Sequence, residues 1–220
     1  MRRKAIIILF VILLLLAAVA GGLFLARPTI IDRQRQASEA ELLSLIESGQ
    51  LQIKIPDIPP MEGEEEEFSE LEYDVPVQDA EPVEITGYGV ISIPAIDLKM
   101  PVVKGADSYS IRAAAGWYPE SAEMGGAGNC VIFGHRMSGY GRHFNRLDEL
   151  KEGDHITLYN ADGESFTYTV TGSEVIKPDI LMDTLLEHNE GFILTLVTCT
   201  PTGVGSHRLL VYAAMDTSVG

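Results

Sequence analysis

The chain has 220 residues, which is enough for one domain with attachments and too short for two large catalytic domains. Sixteen basic residues against 32 acidic residues give a net charge of −16, so the protein repels nucleic acid and we expect no nucleic-acid partner. The only two cysteines, Cys130 and Cys199, exclude a disulfide-rich mini-protein and a four-cysteine zinc module.

A long apolar stretch follows three basic residues at the N-terminus. The uncharged run 5–26 contains 22 residues, which is long enough to cross a bilayer as one helix. The basic residues predict a cytoplasmic tail over 1–4. Small residues from Ala18 to Ala20 also suit a signal peptidase, so a cleaved signal peptide is the alternative, although the apolar run continues beyond them. We expect a single-pass anchor in the cell membrane, with the rest of the chain extracellular.

Residues 27–84 are predicted to form an extracellular stalk. Ser38 followed by Glu41 makes a capping box for one short amphipathic helix, which ends near Gly49. The stretch 61–84 carries eleven acidic residues and no Lys or Arg, so it repels itself and cannot bury a core. We interpret this stretch as a solvated spacer that holds a self-contained domain off the membrane. The alternative is an acidic flap that covers a groove.

A β-rich domain is predicted over 85–216, with a short tail over 217–220. Short apolar runs alternate with turn residues, which is typical of a barrel or a sandwich. The segment 160–163 contains Asp-Gly and predicts a hairpin turn between two strands. Short helices are expected over 110–115, 144–150 and 180–186. Strands are expected over 89–93, 99–104, 129–133, 155–159, 165–171, 192–198 and 208–213.

Three chemically active side chains lie at predicted strand ends. Cys199 closes an apolar strand shortly before Pro201, which lacks the amide hydrogen that a central strand needs, so the thiol can face a groove. His135 follows the strand 129–133 and can exchange a proton near neutral pH. Arg208 begins a strand after a glycine-bearing loop, which can return its guanidinium to the thiol to hydrogen-bond an oxyanion.

Each of these residues also has a purely structural interpretation. A cysteine at a strand end is often a buried hydrophobe, a single histidine a hydrogen-bonded loop residue and a single arginine a surface charge. Their co-occurrence at strand ends of an exported domain favours a thiol mechanism. Cys130 is predicted to lie in the core. Four histidines lack paired metal-ligand spacing and are predicted to lie on the surface without binding metal: His143, His155, His188 and His207.

Three motifs resemble those of the sortases, the cysteine transpeptidases of Gram-positive cell surfaces. They are Val-Ile-Phe-Gly-His-Arg at 131–136, Thr-Leu-Val-Thr-Cys-Thr-Pro at 195–201 and Ser-His-Arg-Leu-Leu-Val at 206–211. The resemblance covers roughly 87–215. It implies a mainly β fold, a sortase-type closed eight-stranded β-barrel with a few short helices, preceded here by the single transmembrane helix.

By this resemblance, Cys199 is the nucleophile, His135 the general acid and base, and Arg208 the residue that positions substrate and stabilises the oxyanion. The implied reaction cleaves a Leu-Pro-x-Thr-Gly-like sorting signal between Thr and Gly and transfers the acyl group to an amine. The implied partners are surface proteins or pilins that carry the signal, with a peptidoglycan precursor or a pilin lysine as acceptor. No metal and no cofactor are implied; calcium stimulation, which some sortases show, stays open.

The sequence leaves the subclass and two other functions open. The motifs around Cys199 and Arg208 resemble the pilin-polymerising class C enzymes. However, no Asp-Pro-aromatic triplet typical of their lid precedes Gly87, and the C-terminal membrane helix common in that class is not expected. A class D-like anchoring sortase is therefore the alternative. A non-enzymatic stalked adhesin would have no use for the three residues together, and a caspase-type exported cysteine protease would carry a Gln-Ala-Cys signature that is absent.

Overall fold

The structure is a computed structural model that describes residues 12, 29–30, 33–55, 83–107, 110–136, 143–187 and 190–215. Several predicted features lie outside the described residues. They are the tails 1–4 and 217–220, the anchor 5–26 apart from Ile12, the acidic segment up to residue 82, and His188. Within the described part of the chain, no helix is both long and apolar enough to cross a membrane.

Short strands dominate the described residues, and a few short helices connect them. The helices are α1 over 33–47, α2 Ser110–Ala113 and α3 Leu181–Glu187, with 3₁₀ helices Pro94–Ile96, His143–Glu149 and Pro178–Ile180. The strands are β1 Gln52–Ile55, β2 Val83–Ile93, β3 Leu98–Lys104, β4 Ala115–Trp117, β5 Gly128–Phe133, β6 His155–Asn160, β7 Ser165–Ile176, β8 Phe192–Thr200 and β9 His207–Met215. Every strand and short helix predicted over 85–216 is present, whereas β1 and β4 were not predicted. The short helix predicted before Gly49 is also present, but it begins before the predicted cap at Ser38.

Eight of these strands close into a barrel. Their order is β2-β3-β4-β5-β8-β9-β7-β6, and β2 also pairs with β6, so the barrel has no open edge. The predicted mainly β fold with a closed eight-stranded barrel is therefore confirmed. The predicted hairpin between β6 and β7 is also present, with Gly163 at a φ of +83° and the Asn160 side chain accepting the amide of Glu164 at 2.8 Å.

Apolar side chains pack on both faces of strands β5 and β8. Cys130 and Ile132 point into the barrel, and each is fully buried. Because successive strand residues face opposite sides, Val131 and Phe133 point outward. There they join Val197, Cys199, Leu210 and the α3 residues Leu181 and Leu185 in a second buried group, called the outer cluster below. The core position predicted for Cys130 is confirmed, and Cys199 lies on the opposite face of the sheet.

Helix α1 and strand β1 pack directly on the barrel. Leu42 and Ile46 of α1 are buried in one apolar group with Val90 and Val103 of the barrel. A Cβ added to Gly87 would approach Ile46 to 2.7 Å, so only glycine allows the helix to lie this close. From the sequence, this helix was predicted to lie in a stalk separate from the domain. In the structure, residues 33–55 cover an apolar face of the barrel.

The described residues on either side of 56–82 lie next to each other in the sheet. Strand β1 pairs with β2 in antiparallel register, and Ile55 lies opposite Val83. The sequence did not reveal this pairing because it joins positions far apart in the chain.

Candidate active site at the ends of three strands

Cys199 is the penultimate residue of β8, as its place before Pro201 predicted. The strand ends at Thr200. The Cys199 side chain is 3% exposed and contacts the outer cluster, away from the barrel interior. The thiol therefore belongs to the outer face of the sheet at the end of a strand.

Arg208 lies directly opposite Cys199 in the antiparallel pairing of β8 with β9. Its side chain is also 3% exposed, and a buried guanidinium requires carbonyl or carboxylate partners because it stays charged. Its Nη1 donates to the carbonyl oxygens of Gly205 at 2.9 Å and His207 at 3.2 Å. The loop between β8 and β9 thus holds a fixed positive charge beside the thiol-bearing residue.

His135 lies level with Cys199 on the neighbouring strand. In the parallel pairing of β5 with β8, Phe133 is opposite Val197, so two residues further along each chain reach His135 and Cys199. The pairing is extended by Gly134, whose amide donates to the Val197 carbonyl at 3.1 Å. His135 is 2% exposed. The structure therefore brings all three predicted residues to one end of three adjacent strands.

The turn after β5 is fixed by an aromatic ring. The Phe144 amide donates to the His135 carbonyl at 3.0 Å, and a Cβ added to Gly134 would come within 2.6 Å of the Phe144 ring. The Phe144 ring therefore packs against Gly134 and holds the histidine-bearing turn in place.

His143 is buried, so its predicted surface position is wrong. Its side chain is fully buried, and its Nε2 lies 3.4 Å from Oε2 of Glu39 on helix α1. No sequence pattern indicated this burial, because the helix that lies next to His143 was predicted to belong to a stalk. Of the other histidines in the described part of the chain, His155 is exposed and His207 is half-buried, as predicted for the surface.

Two further side chains next to the candidate residues were not singled out for a role from sequence. Arg136 follows His135 and Thr200 follows Cys199, and Nη1 of Arg136 donates to the Thr200 hydroxyl at 2.9 Å. Nη2 of Arg136 also lies 2.8 Å from a carboxylate oxygen of Asp148. In the sequence, Arg136 and Thr200 each follow a catalytic candidate, which was the available signal for a role. That signal did not show that the two side chains contact each other.

A buried polar relay holds helix α3 against the outer cluster. The Thr195 hydroxyl donates to Oδ1 of Asn129 at 2.7 Å, and Nδ2 of Asn129 donates to the Leu185 carbonyl at 3.1 Å. Because β8, β5 and α3 each supply one member, their relative positions are fixed by side chains as well as by packing. A cavity of about 340 Å³ lies beside this relay, lined partly by Tyr118 and Met182.

The second cysteine and the histidines offer no competing site. Burial inside the barrel raises the pKa of the Cys130 thiol to about 12, so it stays protonated and unreactive near neutral pH. Among the residues that the structure describes, no three His, Cys, Asp or Glu side chains are placed to share a metal ion. Only Cys199 combines a thiol with a histidine and an arginine at neighbouring strand ends.

Comparison with known proteins identifies relatives over the same region. A family model described as a sortase domain matches residues 91–216. Sortase A of Bacillus anthracis is 36% identical over 123 residues, covering 56% of this chain and 57% of that protein. Sortase D of Bacillus subtilis (strain 168) is 33% identical over 128 residues, covering 56% of this chain and 61% of that protein. The match therefore spans less than two thirds of the length of either relative.

Solved structures show the same fold over a similar part of the chain. Sortase C1 of Streptococcus agalactiae is 37% identical with a TM-score of 0.53, covering 58% of this chain and 66% of that one. Sortase C of Streptococcus pneumoniae is 31% identical with a TM-score of 0.54, covering 59% and 68%. The similarity thus extends to both sequence and three-dimensional structure across the barrel.

Proposed function

Because the chain belongs to the sortase family, whose members are cysteine transpeptidases, we propose that it is a membrane-anchored sortase acting on exported proteins. It cleaves a Leu-Pro-x-Thr-Gly-like sorting signal between Thr and Gly and transfers the acyl group to an amine. The observation that carries this proposal is the cross-strand pairing of Cys199 with Arg208, with His135 level with Cys199 on the next strand.

In the first step, the Cys199 thiolate attacks the threonine carbonyl carbon and forms a carbon–sulfur bond. The negative charge that develops on the carbonyl oxygen is stabilised by the guanidinium of Arg208, which the Gly205 and His207 carbonyls hold beside the thiol. Protonated His135 gives its proton to the glycine nitrogen as the carbon–nitrogen bond breaks. A thioester between Cys199 and the threonine carbonyl remains.

In the second step, the acceptor amine attacks the thioester carbonyl. Neutral His135 removes a proton from the attacking nitrogen, an amide bond forms, and the thiolate of Cys199 leaves with its electron pair. The nucleophile, proton transfer and oxyanion stabilisation all come from side chains of this chain. The reaction as written consumes no cofactor and needs no metal, and adding calcium or a chelator to the assay tests that expectation.

The outer cluster provides an apolar surface for the sorting signal. Cys199 packs among buried aliphatic side chains of β5, β8 and α3, and Tyr118 and Met182 at its margin are only partly buried. Leucine and proline gain most from such a surface because their side chains are apolar. We place the Leu-Pro part of the signal against this cluster, with the Thr-Gly bond at Cys199.

The acceptor is either a pilin lysine or a cell-wall precursor. The similar structures favour the pilin, since that of Streptococcus pneumoniae is described by its pilin substrate specificity and one from Group B Streptococcus as pilus-related. The similar sequences are sortases A and D. The uncharged run 5–26 supports an anchor that places this chemistry at the outer face of the cell membrane.

Mass spectrometry of reaction products tests the proposal. The full chain is incubated with a library of sorting-signal peptides and with either a lysine-bearing pilin peptide or an amine that mimics a peptidoglycan cross-bridge. Cleavage after threonine with transfer to one amine supports the proposal and identifies the acceptor. If neither cleavage nor transfer occurs with any peptide, the proposed function is wrong.

A further inference from the structure

Arg136 joins three segments around the candidate site, although the acyl-transfer steps above do not use it. Its Nη1 donates to the Thr200 hydroxyl at 2.9 Å, and its Nη2 lies 2.8 Å from Oδ2 of Asp148 in the 3₁₀ helix His143–Glu149. The Arg136 side chain is 8% exposed, whereas that of Asp148 is 53% exposed. A guanidinium with two separate partners in this burial is held in one orientation.

The hydrogen bond between Arg136 and Thr200 lies just beyond the end of the pairing between β5 and β8. Regular pairing of β5 with β8 ends at Phe133 and Val197. One residue further, the Thr198 hydroxyl donates to the Gly134 carbonyl at 2.7 Å. Beyond that point, one segment carries His135 and the other carries Cys199. The hydrogen bond from Arg136 to Thr200 connects the two segments one residue later.

We propose that Arg136 is a positioning residue that sets the distance between His135 and Cys199. This inference rests on the proposed function, because the distance between these two side chains matters only if both act in the same reaction. By binding Thr200 and Asp148 together, Arg136 ties the residue after the histidine to the residue after the cysteine and to a helix outside the sheet. A displacement of about 1 Å between reacting groups is enough to lower a rate roughly a hundredfold.

The bridge depends on the shape of arginine as well as on its charge. Two different nitrogens of one planar group reach Thr200 and Asp148, and the single ammonium of lysine cannot reproduce both directions. The Thr200 hydroxyl is the other requirement. Valine has the same branched shape without the hydroxyl, and serine keeps the hydroxyl without the methyl group, so the two substitutions separate the hydrogen bond from packing.

Arg146 lies in the same 3₁₀ helix as Asp148 and provides a matched control. It pairs with Glu149 through two nitrogens at 3.1 and 2.7 Å and donates to the Ile96 carbonyl at 2.8 Å. Its side chain is 16% exposed. An arginine-to-lysine change there perturbs a comparable set of contacts, but those contacts do not include Thr200 or either catalytic candidate.

The test measures kcat and KM for a sorting-signal peptide in the full chain, four single variants and one double variant. We expect Arg136→Lys and Thr200→Val to lower kcat about 10- to 100-fold with KM little changed, while Thr200→Ser and Arg146→Lys stay near wild type. The double variant Arg136→Lys with Thr200→Val should lose little more kcat than either single variant, because both changes remove the same hydrogen bond. A Thr200→Val variant with wild-type kcat, or an Arg146→Lys variant with an equal loss, overturns the proposal.

The pH dependence of Cys199 alkylation supplies a readout that needs no peptide substrate. It is measured with iodoacetamide in a Cys130→Ala background. If Arg136 sets the position of His135, the profile shifts in Arg136→Lys and Thr200→Val and is unchanged in Thr200→Ser and Arg146→Lys. Unchanged profiles in all four variants contradict the positioning role. A wild-type chain that is alkylated but cleaves no peptide instead contradicts the proposed function.

Discussion

Cys199 and Arg208 occupy directly opposed positions on β8 and β9, and the carbonyls of Gly205 and His207 hold the arginine beside the thiol-bearing strand end. Opposed residues of an antiparallel pair have Cβ atoms roughly 5 Å apart. The sheet register therefore places Arg208 next to Cys199, and the β8–β9 loop holds its guanidinium there. Strand pairing is the most rigid means that a small barrel has of fixing two side chains.

The first prediction concerns this pair. In Arg208→Lys the charge remains, but the planar fork that faces the carbonyls of the β8–β9 loop is lost. We expect kcat/KM for a sorting-signal peptide to fall about a hundredfold or more, which corresponds to roughly 3 kcal/mol and is typical of a lost oxyanion donor. Steady-state kinetics with Arg146→Lys as the control measures the effect. Near-normal turnover in Arg208→Lys would mean that charge alone is required there.

A second prediction uses the tight packing behind His135. Alanine at Gly134 brings a methyl group within 2.6 Å of the Phe144 ring, so the ring or the turn must move. We expect Gly134→Ala to destabilise the protein by about 1–3 kcal/mol and to lower kcat. Gly172→Ala is the control, because no atom lies within 4 Å of its added Cβ. Urea unfolding and peptide cleavage measure both effects, and equal behaviour of the two variants would contradict this account of Gly134.

Helix α1 gives the third prediction. Leu42 is fully buried against the barrel, so Leu42→Ala should cost about 2–5 kcal/mol of unfolding free energy by leaving a cavity. Leu186 on α3 is 66% exposed, and Leu186→Ala should change stability by less than about 0.5 kcal/mol. Chemical denaturation of the full chain compares them. A Leu42→Ala variant as stable as the wild type would show that α1 does not pack on the barrel in solution.

The sequence predicted most of the barrel strands because they carry local signals, whereas the closed barrel itself was implied by the family resemblance. The alternation of Phe166, Tyr168 and Val170 with polar residues identifies β7, and the Asp-Gly turn identifies the hairpin before it. Strand β4 was missed since its three residues are too few to show a period of two. The contacts of α1 depend on partners distant in the chain, and periodicity reports which face of a helix is apolar without reporting what covers it.

The candidate site was predictable in part for the same reason. Cys199, His135 and Arg208 lie at strand ends that apolar runs define, so their positions followed once the runs were aligned with known motifs. The contacts of Arg136 with Thr200 and of His143 with Glu39 were not predictable, because each joins side chains whose proximity only the closed barrel creates. Sequence therefore located the three candidate residues, and the structure identified the side-chain contacts around them.

The fourth prediction concerns stability in alkaline solution. Burial raises the pKa of Cys130, Tyr88 and Tyr168 to about 12 each, whereas unfolded cysteine and tyrosine lose their protons near about pH 8.5 and 10. The unfolded chain thus binds fewer protons than the folded chain above about pH 9, and the free energy of unfolding falls as the pH rises to about 12.

Cys130→Ala tests the cysteine's share of this dependence. Each group contributes at most about 1.4 kcal/mol per pH unit, so the variant should lose stability with pH less steeply than the wild type. Urea unfolding at intervals between about pH 8 and 11 gives the two slopes, because in this range the thiol ionises in the unfolded chain before it ionises in the folded chain. Identical slopes would show that the Cys130 thiol ionises as readily in the folded protein as in the unfolded chain.

The central claim is that Cys199 forms the acyl-enzyme with a sorting signal, and intact-mass spectrometry of the full chain tests it most directly. The protein is incubated with a Leu-Pro-x-Thr-Gly peptide in the absence of an acceptor amine, and the adduct is mapped by digestion. We predict a thioester of the peptide's threonine on Cys199, released when an amine is added, lost in Cys199→Ala and retained in Cys130→Ala. An adduct on Cys130, or peptide cleavage that persists in a folded Cys199→Ala variant, would contradict the account.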